Sequence, residues 1–217
     1  KRAAGTPFMN GSVNDASSKV IKDSIPRVQK DPDGHTSHLT IVDKNGMIVS
    51  LTQTIGPTMG SKVATPGLGF LYAQTMGGYL GKVEPNLRVP SHISPIIVFK
   101  NDKPFLAMGA AGGSRIPSSI VNVISRIIDH DLSLEEALNS PRVHPIEEGI
   151  SLEVVDKVSW NNNDSTYFSK LGYTVEMKRL PGQFGRIHAV ILDTLTGEWI
   201  GCADPDWEGT SAFPILE

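Results

Sequence analysis

The patterned segments of this chain follow one another in an order that admits few architectures: strands first, helices in the middle, strands again. Residues 38–44 and 47–54 are β-rich runs joined by Asn45-Gly46, a dipeptide suited to the positive φ angles of a tight hairpin. Residues 96–100 and 105–109 form a second pair around the turn Asn101-Asp102-Lys103-Pro104. Ile120, Val123, Ile124, Ile127 and Ile128 then recur at helical spacing and predict a helix over residues 116–129 with one buried face. Ser133-Leu134-Glu135-Glu136 is a capping box, so a short second helix starts there and ends before Pro141. Residues 164–171 read as a third helix closed by Gly172. Residues 173–178, 187–193 and 198–202 supply three more strands, the last two turning at Thr196-Gly197. The sum is an α+β sandwich of mostly antiparallel sheets, not an alternating βα fold.

Composition narrows the function classes. Among 217 residues, 20 basic side chains face 23 acidic ones, for a net charge of −3. Such a balance lacks the basic field of a nucleic-acid binder. One cysteine excludes an internal disulfide framework and any cysteine-based zinc site. No apolar run approaches the roughly 18–20 residues that span a bilayer. Residues 1–35 are polar and without period, and read as a leader or linker. Residues 65–81 form a loop region punctuated by glycine. The sequence opens on Lys1, as a piece of a longer chain would.

Two features carry chemistry. Thr36-Ser37-His38 stands where the polar leader meets the first strand, a place where a hydroxyl residue usually just starts a strand. Gly109-Ala110-Ala111-Gly112-Gly113-Ser114-Arg115 joins a strand end to a helix start. Small residues there let backbone N–H groups converge on an anion, helped by the partial positive charge of the helix N-terminus. An oxyanion hole, a phosphate site and a plain close-packed turn all fit that segment, although no Gly-Lys-Ser/Thr makes it a P-loop. His35 and His38, three apart at a strand entry, point to opposite faces and do not make a metal pair. Asp43, Asp204 and Asp206 read as turn residues, Arg115 and Arg142 as members of ion pairs, and Cys202 as an inert core thiol.

Taken in order, the motifs resemble the small subunit of the γ-glutamyltransferases. The resemblance runs through Thr36-Ser37-His38, Val42-Asp43-Lys44-Asn45-Gly46, Ser50-Leu51-Thr52-Gln53-Thr54, Pro66-Gly67 with Gly69, and Ser91 with Ser94-Pro95. It continues through Gly112-Gly113-Ser114-Arg115-Ile116, Pro141-Arg142-Val143-His144 and Ala203-Asp204-Pro205. It implies a four-layer αββα N-terminal-nucleophile hydrolase, completed by a large subunit cut from the same precursor. Residues 1–35 would then be the tail of the large-subunit region and 36–217 the catalytic small-subunit region. Cleavage would fall between His35 and Thr36. By resemblance Thr36 is the nucleophile, Thr54 lies within its hydrogen-bond reach, and the Gly112 and Gly113 amides meet the oxyanion. No metal or cofactor is implied. The expected substrate is a small γ-glutamyl or related acyl amide with water or an amine as acceptor, and the expected location is periplasmic or extracellular.

The resemblance places substrate-binding positions at Gly56, Thr75, Gly78, Ser91 and His92, and the departures from the family pattern fall among them. Where the family holds a donor's α-ammonium with an Asn and an acidic residue, this sequence has Gly56 and Gly78, neither of which pairs with a cation. Where two adjacent serines hold the α-carboxylate, it has Ser91-His92. An ammonium closed in without a partner is costly. Donors with a free α-amino group are therefore expected to be poor. A cephalosporin or glutaryl acylase-like hydrolase, and an uncleaved non-catalytic binding protein, are the alternatives.

Overall fold

The computed structural model describes residues 35–75, 85–86, 88, 91–155, 160–179 and 182–213. Strands β1 (His35–Val42) and β2 (Ile48–Gly56) form the antiparallel hairpin expected at the start. Its loop is longer than Asn45-Gly46 alone. In that loop only Gly46 takes a positive φ, +82°, while the Asp43 carboxylate accepts the N–H groups of Asn45 and Met47 at 2.8 Å each. The two-residue turn lies instead at Asn101-Asp102, both with positive φ (52° and 59°), between β3 (Ile96–Lys100) and β4 (Lys103–Ala111). Strand β4 therefore starts at Lys103, earlier than the pattern suggests. Its Pro104 precedes the ladder to the next strand, beside an irregularity in the β3–β4 register.

Strands β3, β4, β8 (Arg186–Leu192) and β9 (Trp199–Ala203) make one antiparallel sheet in the order β3-β4-β8-β9. Helices α1 (Ile116–Asp129) and α2 (Leu134–Asn139) cover one of its faces. Alternate residues of β4 (Leu106, Met108, Ala110) and of β8 (Ile187, Ala189) meet Ile116, Ile120, Val123 and Ile127 of α1 there. Each fully buried aliphatic side chain stabilises the fold by about 1.5–3 kcal/mol. The apolar stripe of α1 is rotated from the one read in the sequence, so that Ile128 is half exposed. Ser133 caps α2 with both bonds of the predicted capping box.

The hairpin lies on the opposite face of this sheet. Ser50 Oγ donates to the Met108 carbonyl at 3.1 Å and Thr40 Oγ1 to the His188 carbonyl at 3.5 Å. Strand alternation turns the neighbours Leu39, Ile41, Val49 and Leu51 outward, where they are 39–55% exposed. Helices, sheet and hairpin thus make three layers.

A third sheet joins β5 (Val143–Ile146), β6 (Gly149–Glu153) and β7 (Thr174–Lys178), with β6–β7 parallel and α3 (Asn162–Lys170) between them in the chain. The Asn161 side chain caps α3, moving its start ahead of the predicted Asp164. Strands β5 and β6 have no counterpart in the sequence reading. All five residues of β6 are buried, yet they include Ser151 and Glu153, which makes the segment look like a polar loop.

Candidate active site

Register brings the two threonines together. In the β1–β2 ladder Thr36 stands opposite Thr54, and an irregularity falls between His35 and Thr36. Bulges of this kind bend a strand and re-aim its side chains. Here Thr36 Oγ1 donates to Thr54 Oγ1 at 3.0 Å, and Thr54 Oγ1 donates onward to the carbonyl oxygen of His35, also at 3.0 Å. The Gly56 N–H completes the set by donating to Thr54 Oγ1 at 2.9 Å. A relay of hydroxyl protons thus runs from Thr36 to the carbonyl of the peptide just before it. The chain continues through His35-Thr36 as one strand.

Thr36, His38 and Thr40 share the hairpin face that looks onto β4 and β8. His38 is buried, with its ring over Gly109, and both ring nitrogens meet threonine hydroxyls: Nδ1 to Thr52 at 2.7 Å and Nε2 to Thr40 at 2.9 Å. Burial, with His188 nearby, lowers its pKa to about 4, so the ring is neutral at ordinary pH. His35 is exposed, on the other side of the strand, as its spacing from His38 requires.

Gly112 and Gly113 close β4 and open a 3-10 turn (Gly113–Arg115) that runs into α1. Their φ angles, 141° and 58°, are ones that L side chains rarely adopt. Gly112 also has no room for a side chain, because a Cβ there would stand 2.9 Å from the Gly185 Cα. Gly185 is in turn fixed by Arg142, whose buried guanidinium donates to the Gly185 carbonyl at 2.7 Å and pairs with Asp204 at 2.6 Å. Asp204 is thus a buried ion-pair partner rather than only a turn residue. Asp43, by contrast, is the turn residue its position suggests. Burial pushes the neighbouring Glu153 carboxyl up, against the pull of Arg142, whose backbone N–H it accepts at 2.9 Å.

The substrate-side positions are partly assembled. At Gly56 (φ +84°) a Cβ would stand 3.0 Å from the Gln74 carbonyl carbon and 3.2 Å from the Thr75 nitrogen. Gly56 and Thr75 are therefore neighbours, pressed together by backbone, and Gln74 N–H donates to the Ile55 carbonyl at 2.9 Å. Ser91 is exposed, its hydroxyl accepting from the Ile93 N–H. His92 is half-buried and its pKa is lowered by that burial. It lies close enough to His144 to depress that ring, which burial first and Arg115 second bring to about 4. His144 Nδ1 shares a hydrogen bond of 2.8 Å with Ser118 of α1. His92 thus belongs with the start of α1 and the glycine turn. Gly78 lies outside the described residues.

Sequence reading did not single out Thr40, Thr52, Ser118 or the pairing of Arg142 with Asp204. The hairpin signal does not find the first two, since a two-residue turn at Asn45-Gly46 would set position 38 opposite 53 and only the longer loop sets it opposite Thr52. The ion pair joins segments with no local pattern to connect them.

Comparison with known proteins gives a consistent result. The chain is 28% identical to the glutathione hydrolase proenzyme of Bacillus subtilis (strain 168), over 97% of this chain and 35% of that protein. It is 32% identical to the acylase ACY 1 proenzyme of Pseudomonas sp. (strain V22), over 75% of this chain and 30% of that protein. It therefore spans about a third of the length of these curated relatives. Among solved structures, gamma-glutamyltranspeptidase from Pseudomonas nitroreducens complexed with L-DON superposes with a TM-score of 0.70 at 28% identity, covering 82% of this chain and 99% of that one. Cephalosporin acylase from Bacillus halodurans gives 0.69 at 25% identity, covering 80% of this chain and 34% of that one. The family model described as gamma-glutamyltranspeptidase matches residues 9–213, and with the hairpin, the threonine pair and the glycine turn in place, the chain belongs to that family.

Proposed function

We propose that this chain is the catalytic part of an autoprocessing amidohydrolase or acyltransferase that works through an acyl-Thr36 intermediate. The hydroxyl relay from Thr36 through Thr54 to the His35 carbonyl carries this reading. In the precursor the Thr36 oxygen attacks the carbonyl carbon of His35 while Thr54 donates to the carbonyl oxygen, where negative charge develops. The C–N bond then breaks, the Thr36 nitrogen takes a proton, and an ester replaces the peptide. Water cleaves the ester and leaves Thr36 with a free α-amino group of pKa about 7.7–8.0. That amine takes the proton of its own hydroxyl, the N-terminal threonine form of nucleophile and base.

In turnover the activated Thr36 oxygen attacks the acyl carbon of an amide donor. The Gly112 and Gly113 amides stabilise the oxyanion, the leaving amine departs with the proton, and water or an amine then takes the acyl group. Residues 36–217 form the catalytic small-subunit region, and residues 1–35 the tail of a large-subunit region. The large subunit covers the outward face of the hairpin, where Leu39, Ile41, Val49 and Leu51 would otherwise meet water. This supplies the fourth layer of an αββα sandwich. Among the described residues no helix is long and apolar enough to cross a membrane, and we place the protein in the periplasm or outside the cell.

The donor is a short-acid amide that lacks a free α-ammonium. Gly56 supports this choice, because backbone presses on the position from which an amide side chain would reach the ammonium. The acylase relative has the same bearing. Thr36→Ala in the full-length protein should leave an uncut chain with no turnover, read by intact mass and anilide hydrolysis. Normal activity in that variant overturns the proposal. Side by side, a glutaryl anilide should be the better donor than its γ-glutamyl counterpart; the reverse order overturns the reading of Gly56.

A further inference from the structure

We infer that His38 is a positioning residue for the Thr36 chemistry: its ring sits in a socket that only glycine at position 109 leaves open, and so sets where the nucleophile strand lies over the strand that leads into Gly112–Gly113. This rests on the function proposed above. A Cβ at position 109 would stand 2.4 Å from both Cε1 and Nδ1 of His38 and 2.9 Å from Nε2. Non-bonded heavy atoms do not approach a Cβ that closely, so the ring occupies the volume an alanine methyl would need. The ring cannot slide out of the socket either, because each nitrogen is tied to a hydroxyl.

Those ties close a circuit between the two layers. Thr52 stands directly opposite His38 in the hairpin ladder, and Thr40 is the next inward residue of β1. Thr40 Oγ1 donates to the His188 carbonyl, and His188 is the ladder partner of Gly109. Because Thr40 gives its proton to that carbonyl, it accepts from His38 Nε2–H, and Nδ1 accepts from Thr52. The network thus assigns one neutral tautomer. His38 is not a catalytic residue, since the Thr36 hydroxyl bonds to Thr54. It belongs to the next inward-facing rung after Thr36–Thr54, with only Ser37–Gln53 between them, so anything that lifts or slides the ring moves the Thr36–Thr54 rung with it. On the other side of the contact, Gly109 lies near the end of β4, only three positions before Gly112. A misplacement of about 1 Å between nucleophile and oxyanion donors can cost about 100-fold in rate.

The test is a double-mutant cycle in the full-length protein, with acyl transfer to water from an anilide as the readout. Gly109→Ala with His38 present should lower kcat at least about 10-fold while KM stays within about threefold, because binding groups on the substrate side do not move. With His38→Ser in place, the same Gly109→Ala change should cost less than about threefold, since the clash has gone. An equal cost of Gly109→Ala in both backgrounds, or a kcat within about twofold of the unmodified protein, overturns the inference. If Gly109→Ala does not yield folded protein, Thr52 decides. Thr52→Val should lower kcat about three- to tenfold and Thr52→Ser should restore it, whereas an unchanged kcat in Thr52→Val is an overturning result. An unmodified protein that neither cuts itself nor turns over any anilide overturns the functional reading and this inference together. An active one in which the cycle shows no coupling overturns this inference alone.

Discussion

The two halves of the candidate site are held in place by opposite means. The β1–β2 hairpin, which carries Thr36 and Thr54, buries only His38 and Thr52 and is seated on the sheet by hydroxyls and one imidazole. The β4–α1 half, which carries Gly112 and Gly113, is set in the apolar core and locked through Gly185 by a buried ion pair. Hydrogen bonds fix direction and register but each is worth only about 0.5–1.5 kcal/mol. Apolar burial and a buried, hydrogen-bonded ion pair fix position more stiffly. The threonine half is therefore the adjustable one and the glycine turn is its rigid reference. Under the proposed function that division is useful, because Thr36 must first attack its own peptide and then a separate substrate.

The largest expected effect lies in the rigid half. Asp204→Ala would leave the Arg142 guanidinium buried without its carboxylate and should cost about 3–5 kcal/mol, as breaking buried pairs does. Urea unfolding of the full-length protein measures it. Replacing both partners together by apolar residues (Arg142→Met with Asp204→Leu) should cost less, since Arg142 and Asp204 are then removed as a pair. If Asp204→Ala proved as mild as a surface change, within about 0.5 kcal/mol, the rigid half would not depend on the pair and the contrast would fail.

A middle-sized effect separates the halves by pH. The His38 pKa falls from 6.5 in the unfolded chain to about 4 in the folded one. As pH drops through that window the unfolded chain takes up a proton that the folded chain refuses. The stability linked to His38 is complete above about pH 6.5, declines toward pH 4, and changes no further below it. At pH 4.5 the loss should be about 2 kcal/mol. His144, at the seam of α1 and β5, adds a loss of the same sign, while the raised Glu153 opposes both. The difference between the unmodified protein and His38→Asn therefore isolates the hairpin. Equal acid sensitivity in the two proteins would show that the imidazole does not hold that layer.

What could be read in the sequence divides along the same line. Local chemistry was legible: the stripe of isoleucine and valine set α1 at its observed bounds, and Ser133 with Glu136 capped α2 as written. The threonine pair came from the family resemblance alone, since a two-residue turn at Asn45-Gly46 would set Thr36 opposite Ile55 and only the longer loop sets it opposite Thr54. The glycine turn stood out by composition. Strand β6 did not, because its buried Glu153 owes its place to the Arg142 N–H, a partner distant in sequence. Asn45-Gly46 misled over the tight turn because Asp43 offers its carboxylate to two amides and stabilises a longer loop. The Gly109 socket and the Arg142–Asp204 pair had no local signature at all. The first exists only once the hairpin is stacked on β4, and the second only once the segment before β5 meets the end of β9.

The smallest expected effect is the most selective. Ser50 on β2 ties the hairpin to the Met108 carbonyl of β4, and Ser50→Ala removes that tie with little change in shape. The carbonyl keeps its place in the sheet, so the cost should be about 0.5–1.5 kcal/mol, near the limit of an unfolding curve. Amide hydrogen exchange resolves it better, because local opening is read segment by segment. If a handful of polar contacts seat the hairpin, the change should hasten exchange across β1 and β2 while the amides of α1 and β4 keep their protection. Acceleration spread evenly over both halves would mean that hairpin and core open together. The strand that carries Thr36 would then be as firmly fixed as the turn it faces, and the adjustable half would have to be sought elsewhere.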